Sequence, residues 1–167
     1  MTIIDSHCHP QFPQYDQDRE DMIRRTLEEG VGMICVGTGL EMSKRAIELA
    51  QKHDDPASPR LRRARIWASV GLHPNDNLGE NFNEKAYEEL LKQNKVVAMG
   101  EIGLDYYRTA ELENQKNQKE RFVKQLELAD KLSKPLILHC RDSRAGSTGK
   151  AYPQMADILK NGYVKNG

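Results

Sequence analysis

This sequence of 167 residues has few cysteines and no long apolar run. The first feature argues against a disulfide-stabilised protein and the second against a membrane-spanning one. Three cysteines are an odd and sparse set without the spacing of a disulfide framework, which indicates reduced thiols. No segment approaches the roughly 18 apolar residues of a membrane span, so we expect no membrane partner. The first residues, 1–5, lack the basic start of a signal peptide. We therefore expect a cytoplasmic protein.

A surplus of charge of one sign is also missing, because Lys+Arg and Asp+Glu both number 25. Net charge would not attract an acidic polymer, and any contact with nucleic acid requires a local patch. The basic run at Arg60, Arg62, Arg63 and Arg65 is most simply a solvated loop face. A contact with a DNA backbone is the alternative for this run.

Short apolar, β-branched runs are present and recur along the whole chain. They predict strands near residues 2–7, 33–37, 66–71, 96–101 and 136–139. Runs this short and without alternation suit strands buried on both faces of a parallel sheet. Helical apolar stripes lie between and after them, the first closed by Gly30 at the expected C-cap. The order βα, five times over, predicts one α/β domain across residues 1–167.

Two architectures fit that order. Strand starts near 2, 33, 66, 96 and 136 are 31, 33, 30 and 40 residues apart. A (β/α)8 barrel of about 250 residues needs about 31 residues per unit, so the chain would hold five of eight units. A complete five-stranded doubly wound sheet is the rival. Length does not choose between them.

The first predicted strand leads into two histidines spaced for metal binding. Because side chains alternate along extended chain, Asp5, His7 and His9 point to one face. Two imidazoles at i and i+2 can reach one divalent ion. Asp5 is placed to orient one of these ligands without contacting the ion itself. The alternative is that the two histidines lie at a strand end by chance and bind no metal.

Polar side chains also end the fourth and fifth predicted strands, Glu101 and His139 respectively. A carboxylate directly after an apolar strand needs a cation, a donor or water. Parallel α/β folds build their sites at the carboxyl ends of strands. In a 2-1-3-4-5 sheet, however, strands 1 and 5 lie roughly 14 Å apart, too far for His7 and His139 to share a metal centre. If these residues act together, the barrel is the correct architecture.

Four segments in order now resemble the motifs of TatD-type metal-dependent deoxyribonucleases. They are residues 5–9 (DSHCH), 70–74 (VGLHP), 100–107 (GEIGLDYY) and 134–142 (KPLILHCRD). The resemblance covers the chain from Ile4 to about Gly162. It implies a TIM-type (β/α)8 barrel of the metal-dependent hydrolase kind, here truncated to about five βα units.

The resemblance also implies a two-metal site that hydrolyses DNA phosphodiesters. His7 and His9 would hold one divalent ion, Glu101 would bridge both ions, and His139 would hold the second. Arg141 would lie by the scissile phosphate, as suits its guanidinium group. Mixed imidazole and carboxylate ligands favour Zn or Mn, and the family makes Mg an option.

The remaining family matches are less specific. His73 and Asp105 match residues near the site, His73 on the substrate phosphate and Asp105 behind the ligands. The family also uses a histidine after strand six and an aspartate in a Glu-Thr-Asp motif after strand eight, and this sequence has neither. The only other histidine, His53, falls at a predicted helix end, where we expect it to face solvent.

The incomplete ligand set implies weak or absent nuclease activity for the 167 residues alone. Five strands of an open barrel would also expose pairing edges, on strand 1 or its neighbours. We therefore expect the chain to recruit a complementary C-terminal half, to self-associate or to aggregate.

Two other function classes stay open from the sequence. A D-aminoacyl-tRNA deacylase with the same metal site is the first, and charged tRNA assayed beside single-stranded DNA separates it from a nuclease. The second is a non-catalytic interaction module, which would bind no divalent ion.

Overall fold

Five parallel strands lie side by side in chain order, β1-β2-β3-β4-β5, in a computed structural model that describes residues 3–54, 65–75, 79–109, 111–143 and 150–163. The strands are β1 Ile3–Cys8, β2 Val31–Val36, β3 Ile66–Val70, β4 Val96–Asp105 and β5 Leu136–Arg141. This sequential order is that of a barrel wall, and it excludes the doubly wound order 2-1-3-4-5. Most of the basic run, residues 60, 62 and 63, lies outside the described residues.

Helices follow the strands, as the apolar stripes predict. They are α1 Arg19–Glu28, α2 Leu40–Lys52, α3 Glu84–Leu91, α4 Leu112–Lys131 and α5 Ala151–Ile158. The end of α1 is the predicted one: Gly30 has a φ of +77°, and its N–H donates to the carbonyl of Leu27 at 3.0 Å. At the start of α3, the Asn83 side chain accepts from the N–H of Ala86. No helix in the described ranges is long and apolar enough to cross a bilayer.

The core lies between the sheet and its covering helices. Its largest fully buried side chains include Ile23 of α1, Tyr87 of α3, and Phe122 and Leu126 of α4. All four belong to the apolar stripes that the sequence indicates. Burial of these faces is what orders the short helices, since isolated helices of this length are marginal in water.

The prediction that all five strands are buried on both faces is wrong for β1 and β5. Ile3 is 61% exposed, Ile4 is 49% exposed and Leu138 is 40% exposed. Both strands lie at edges of the sheet, and within the described residues each pairs with a neighbour on one side only. The open pairing edges expected for strand 1 are therefore present, and β5 supplies a second.

The prediction that Glu101 ends the fourth strand is also wrong, because β4 continues to Asp105. Met99 pairs with Leu136 and Ile102 pairs with Leu138, so between these pairs two residues of β4 face one of β5 and the register shifts. Such a β-bulge re-aims a side chain without ending the strand. The apolar run in the sequence stops at Glu101, but the strand continues beyond it. The bulge turns the carboxylate of Glu101 towards polar partners.

Candidate metal centre

Glu101 lies at the centre of the converging polar side chains, and its two oxygens face two different histidines. Its Oε2 is 3.3 Å from Nε2 of His7, and its Oε1 accepts a hydrogen bond from Nδ1 of His139 at 2.9 Å. His7 lies on β1 and His139 on β5, four steps apart, about 19 Å in a flat sheet at about 4.8 Å per step. Contact with one carboxylate therefore requires the sheet to curl.

The backbone before Glu101 is held from two neighbouring segments. The Ser69 hydroxyl donates to the carbonyl of Gly100 at 2.7 Å, and the N–H of Glu101 donates to the carbonyl of Gly37 at 2.8 Å. Gly100 has no room for a side chain, since a Cβ there would lie 2.5 Å from Cβ of Ile137. These contacts explain why a bulge at this point keeps a single geometry.

His9 is oriented by the hydrogen-bond partner of its Nδ1 nitrogen. Its Nδ1 lies 2.9 Å from the carbonyl oxygen of Val36, and because a carbonyl only accepts, Nδ1 carries the proton. The neutral ring therefore has its lone pair on Nε2. The ring also stacks on Phe12, with centroids 4.7 Å apart. Together with His7 and Glu101, it offers one of three ligand atoms that all lie within 4.8 Å of one another.

Asp5 supports His7 through the backbone. Its Oδ1 accepts from the main-chain N–H of His7 at 3.0 Å, a local contact two residues apart. The sequence predicts that this aspartate orients His7 or His9, and the structure brings it to the peptide group of His7.

His73 belongs to a second set of three, with Glu101 and His139, whose ligand atoms also lie within 4.8 Å of one another. It is buried, and its ring meets that of His139 edge to face at 4.4 Å between centroids. Its Nδ1, however, accepts from the main-chain N–H of Asn75 at 3.1 Å. The neutral ring then carries its proton on Nε2, which makes this nitrogen a hydrogen-bond donor. His73 and His9 thus present opposite chemistry to the site.

His139 is enclosed by two carboxylates. While Nδ1 donates to Glu101, Nε2 faces Oδ2 of fully buried Asp105 at 3.3 Å. That approach lacks hydrogen-bond geometry, so neither atom has a hydrogen-bond partner in the part of the chain that the structure describes. Asp105 also accepts from the N–H of Arg108 at 3.0 Å through Oδ1. Oδ2 of Asp105 has ion-pair contacts only, with His139 and with Nε of Arg108 at 3.7 Å. Two buried polar atoms without a hydrogen bond beside a glutamate fit a position where a cation binds.

The charges at this position alter the pKa of both partners. Burial alone would raise the pKa of Glu101, but the hydrogen bond from His139 and the charges of His73, His7 and His139 outweigh it and lower that pKa below 4.5. Burial alone would lower the pKa of His139, yet the hydrogen bond to Glu101 and the charges of Glu101 and Asp105 raise it above 6.5. Without an ion, the site therefore favours a carboxylate beside an imidazolium.

Arg141, expected beside a substrate phosphate, lies at the end of β5. Its guanidinium carbon is 3.8 Å from the centroid of the Tyr107 ring. Its carbonyl accepts from the N–H of Tyr106 at 2.9 Å, which ties β5 to the end of β4. Tyr107 is 37% exposed, so the stacked pair borders solvent.

His53 lies away from the other four histidines, and its predicted exposure to solvent is wrong. It caps the C-terminus of α2, and its Nε2 is 3.4 Å from Oε2 of Glu20 on α1. The side chain is 20% exposed, and burial lowers its pKa. The polar end of one helix meets a neighbouring helix here, which an apolar pattern does not reveal.

Three further residues shape this centre without a predicted role: Asn75, Phe12 and Tyr107. Asn75 follows His73 after a proline, and turn chemistry of that kind is a local signal for its contact with the ring. Phe12 and Tyr107 act through rings that fold back on His9 and Arg141, for which the sequence carries no comparable signal.

The convergent motifs are also those of a known family. A family model described as TatD related DNase matches residues 4–166. This chain belongs to the TatD-related DNase family.

Curated relatives of this TatD-family chain are named as exonucleases and hydrolases. A protein named 3'-5' ssDNA/RNA exonuclease TatD from Citrobacter koseri is 37% identical over 79% of this chain and 47% of its own length. The protein of the same name from Escherichia coli K12 is 34% identical over 78% of this chain and 46% of its own. An uncharacterized metal-dependent hydrolase from Methanocaldococcus jannaschii is 33% identical over 84% and 51%. The chain spans about half the length of these relatives.

Solved structures agree on the fold. A TatD homologue from Escherichia coli K12 matches with a TM-score of 0.71 and 29% identity, over 95% of this chain and 55% of that one. A TatD family hydrolase from Entamoeba histolytica matches with a TM-score of 0.74 and 22% identity, over 96% and 54%. The five strands of this TatD-family chain thus form a curled half-barrel of the TIM type, as the sequence predicts.

Proposed function

We propose that this chain carries the metal-binding part of a hydrolase that cleaves phosphodiester bonds in single-stranded DNA. One observation carries the proposal: the two oxygens of Glu101 face His7 and His139, which come from opposite edges of the sheet. Relatives named as ssDNA/RNA exonucleases support the substrate class. Imidazoles and carboxylates within 4.8 Å of one another support a divalent metal.

The site residues divide into two ligand groups that share Glu101. His7, His9 and Glu101 would hold one divalent ion, while Glu101 and His139 would hold the second. The donor set fits Zn or Mn, with Mg as the family alternative. Ions bound there would lower the pKa of a water molecule and offset negative charge on the phosphate.

His73 and Arg141 would act on the substrate rather than on the ions. Nε2 of His73 carries the proton when the ring is neutral, because Nδ1 accepts from Asn75. It would therefore donate a hydrogen bond to a phosphate oxygen or to the leaving oxygen. The guanidinium of Arg141 would contact the same phosphate from the end of β5. Asp5 and Asp105 would orient the ligands from behind.

Metal binding and hydrolysis test the proposal separately. The 167-residue chain is titrated calorimetrically with Mn²⁺ and Zn²⁺, then assayed on a labelled single-stranded oligonucleotide and on charged D-aminoacyl-tRNA. Wild type is expected to bind both ions, and Glu101→Gln to lose at least 10-fold in affinity, because the shared ligand loses its charge. Glu89→Gln, at an exposed position of α3, is the control and should bind like wild type.

Hydrolysis by these 167 residues is expected to be slow, since the family's two further ligands are not in this sequence. Slow metal-dependent release of nucleotides that Glu101→Gln abolishes would support the assignment. Cleavage of the aminoacyl ester but not of DNA would replace the substrate class. Equal metal affinity for wild type and Glu101→Gln would overturn the site itself, and no binding at all would favour a non-catalytic module.

The proposal extends to location and partners. Cys8, Cys35 and Cys140 are all free thiols, which supports a cytoplasmic protein. The exposed edges at β1 and β5 support association with a complementary C-terminal half or with a second copy of the chain.

A further inference from the structure

Helix α4 holds the segment that carries His73 by an amide clamp. The Gln125 side chain accepts from the N–H of Leu72 at 2.8 Å and donates to the carbonyl of Leu72 at 3.1 Å. The amide oxygen and the amide nitrogen of one glutamine therefore pair with the N–H and the carbonyl of one residue. A neighbouring β-strand would satisfy the same two backbone groups. The residue clamped in this way directly precedes His73.

The residues after His73 are held from the same helix. Nη2 of Arg121 donates to the carbonyl of Pro74 at 2.8 Å. The side-chain oxygen of Asn75 accepts from the Thr109 hydroxyl at 3.1 Å, and that hydroxyl accepts from Nε2 of Gln118 at 2.9 Å. The main-chain N–H of Asn75 is the group that sets the tautomer of His73. The segment around the ring is thus fixed on both sides.

A second amide clamp acts at Asp105. Oε1 of Gln118 accepts from the N–H of Asp105 at 2.9 Å, and Nε2 of Gln118 donates to the carbonyl of Asp105 at 3.1 Å. Gln118, Arg121 and Gln125 are spaced i, i+3 and i+7, so they share one face of α4. Each glutamine is 1% exposed. Glutamine is mostly a surface residue, and its burial here is offset only by these hydrogen bonds.

We infer that Gln118 and Gln125 are positioning residues of the metal centre: from a helix outside the sheet they fix Asp105 and His73 against Glu101 and His139. This inference rests on the proposed function. Its physical basis is that a ligand site tolerates little displacement of its supporting groups, and outer partners of metal ligands typically affect affinity by about 10- to 100-fold.

Gln115 provides the matched comparison within the same helix. It is also buried and donates to the carbonyl of Thr109 at 2.9 Å. It therefore reaches His73 only indirectly, through Thr109 and Asn75, whereas Gln118 and Gln125 hydrogen-bond Asp105 and Leu72 themselves. Gln→Met at each of the three positions keeps the length of the side chain and removes its hydrogen bonds. A general packing role predicts equal effects at all three positions, whereas a positioning role separates Gln115 from the other two.

The experiment measures Mn²⁺ affinity by calorimetry and, in the metal-free chain, the imidazole chemical shifts of His73 and His139 at a fixed pH. Gln118→Met is expected to weaken Mn²⁺ binding by about 10-fold and to move the imidazole shift of His139. Gln125→Met acts through His73, which we place on the substrate, so it is expected to move the imidazole shift of His73 with a smaller effect on Mn²⁺ affinity. Gln115→Met should leave affinity within about twofold at a similar loss of thermal stability. Thr109→Val, a small change, serves if the methionine variants do not fold, and should move the shift of His73 more than that of His139.

The outcomes separate this inference from the proposed function. If wild type binds Mn²⁺, Gln118→Met binds it equally well and neither Gln118→Met nor Gln125→Met moves an imidazole shift, then Gln118 and Gln125 are not positioning residues and the proposed function stands. If wild type binds no divalent ion, the proposed function fails, and the imidazole shifts alone decide the inference. Unchanged shifts in Gln118→Met, Gln125→Met and Thr109→Val would overturn it.

Discussion

The guanidinium carbon of Arg141 lies 3.8 Å from the centroid of the Tyr107 ring, so the cation that we assign to the substrate phosphate rests on an aromatic face. A cation–π contact at a partly exposed position contributes about 0.5–1 kcal/mol. The ring also restricts the rotamers of a long side chain, which lowers the entropy cost of holding a phosphate.

Removing the ring should therefore weaken substrate binding modestly. Tyr107→Ala is expected to raise the dissociation constant for a single-stranded oligonucleotide by about 2- to 5-fold, the fold-change of that contact. Arg141→Ala should cost more, because it removes the charge itself. The measurement is fluorescence anisotropy at one salt concentration. Tyr107→Phe keeps the ring and should bind like wild type, and a loss equal to that of alanine would implicate the hydroxyl instead.

The stability of the metal-free chain should depend on pH through Glu101 and His139. The pKa of Glu101 is lowered, so its contribution is complete above 4.5 and is lost as pH falls through the folded value. The pKa of His139 is raised, so its contribution is complete below 6.5 and is lost as pH rises through the folded value. Both are complete only between pH 4.5 and 6.5.

Urea unfolding in the presence of EDTA checks this window. The urea concentration at the unfolding midpoint should be higher at about pH 5.5 than at about pH 8 or about pH 3, because only near pH 5.5 do both groups contribute fully. His139→Gln should flatten the alkaline side and also reduce the acidic fall, because the hydrogen bond and the charge of His139 contribute to the lowered pKa of Glu101. A midpoint that rises steadily from pH 5.5 to pH 8 in wild type would contradict the raised pKa of His139.

Much of this centre could be predicted from the sequence because its ligands follow the chemistry of strand ends. Asp5, His7 and His9 occupy alternate positions of an extended segment, so their spacing predicts a shared face. His139 lies near the end of β5 and approaches them because the sheet curls. The sequence predicts Glu101 as a ligand but places it at the end of its strand. A bulge depends on pairing between strands, and an apolar run in one strand does not contain that information.

The histidine tautomers and the two glutamine clamps could not be predicted from the sequence, for a different reason. Whether Nδ1 of a histidine donates, as in His9, or accepts, as in His73, depends on a single backbone partner. Gln118 and Gln125 fall at polar positions of a helix that is otherwise rich in Lys and Glu, and nothing in that pattern separates a buried glutamine from an exposed one. Burial of a polar side chain is decided by the loop that it meets.

Gly103 should tolerate no side chain, because its backbone adopts a φ of +149° and a Cβ would lie 1.9 Å from the carbonyl oxygen of His139. Gly103→Ala is expected to lower the free energy of unfolding by about 3 kcal/mol or more, the range of a strained backbone with a backbone clash. Gly79→Ala is the control, since nothing lies within 4 Å of its Cβ position. Urea unfolding should show a change within about 0.5 kcal/mol for the control. Equal stability of both variants would mean that β4 and β5 do not pack this closely at Gly103.

The open edges of the sheet should make the isolated chain associate with itself. Ile3 and Ile4 on β1 are more than 45% exposed, and Leu138 on β5 is 40% exposed, on strands with unpaired backbone groups among the described residues. A lysine on an edge strand opposes such pairing through charge and hydration. Ile3→Lys and Leu138→Lys should therefore shift the sedimentation profile towards monomer. Leu112→Lys is the control, because Leu112 is 70% exposed but belongs to helix α4 and to neither edge strand. A monodisperse wild-type monomer at high protein concentration would show that the edges are not interaction surfaces for a second copy, and association unaffected by either edge lysine would locate the contact elsewhere.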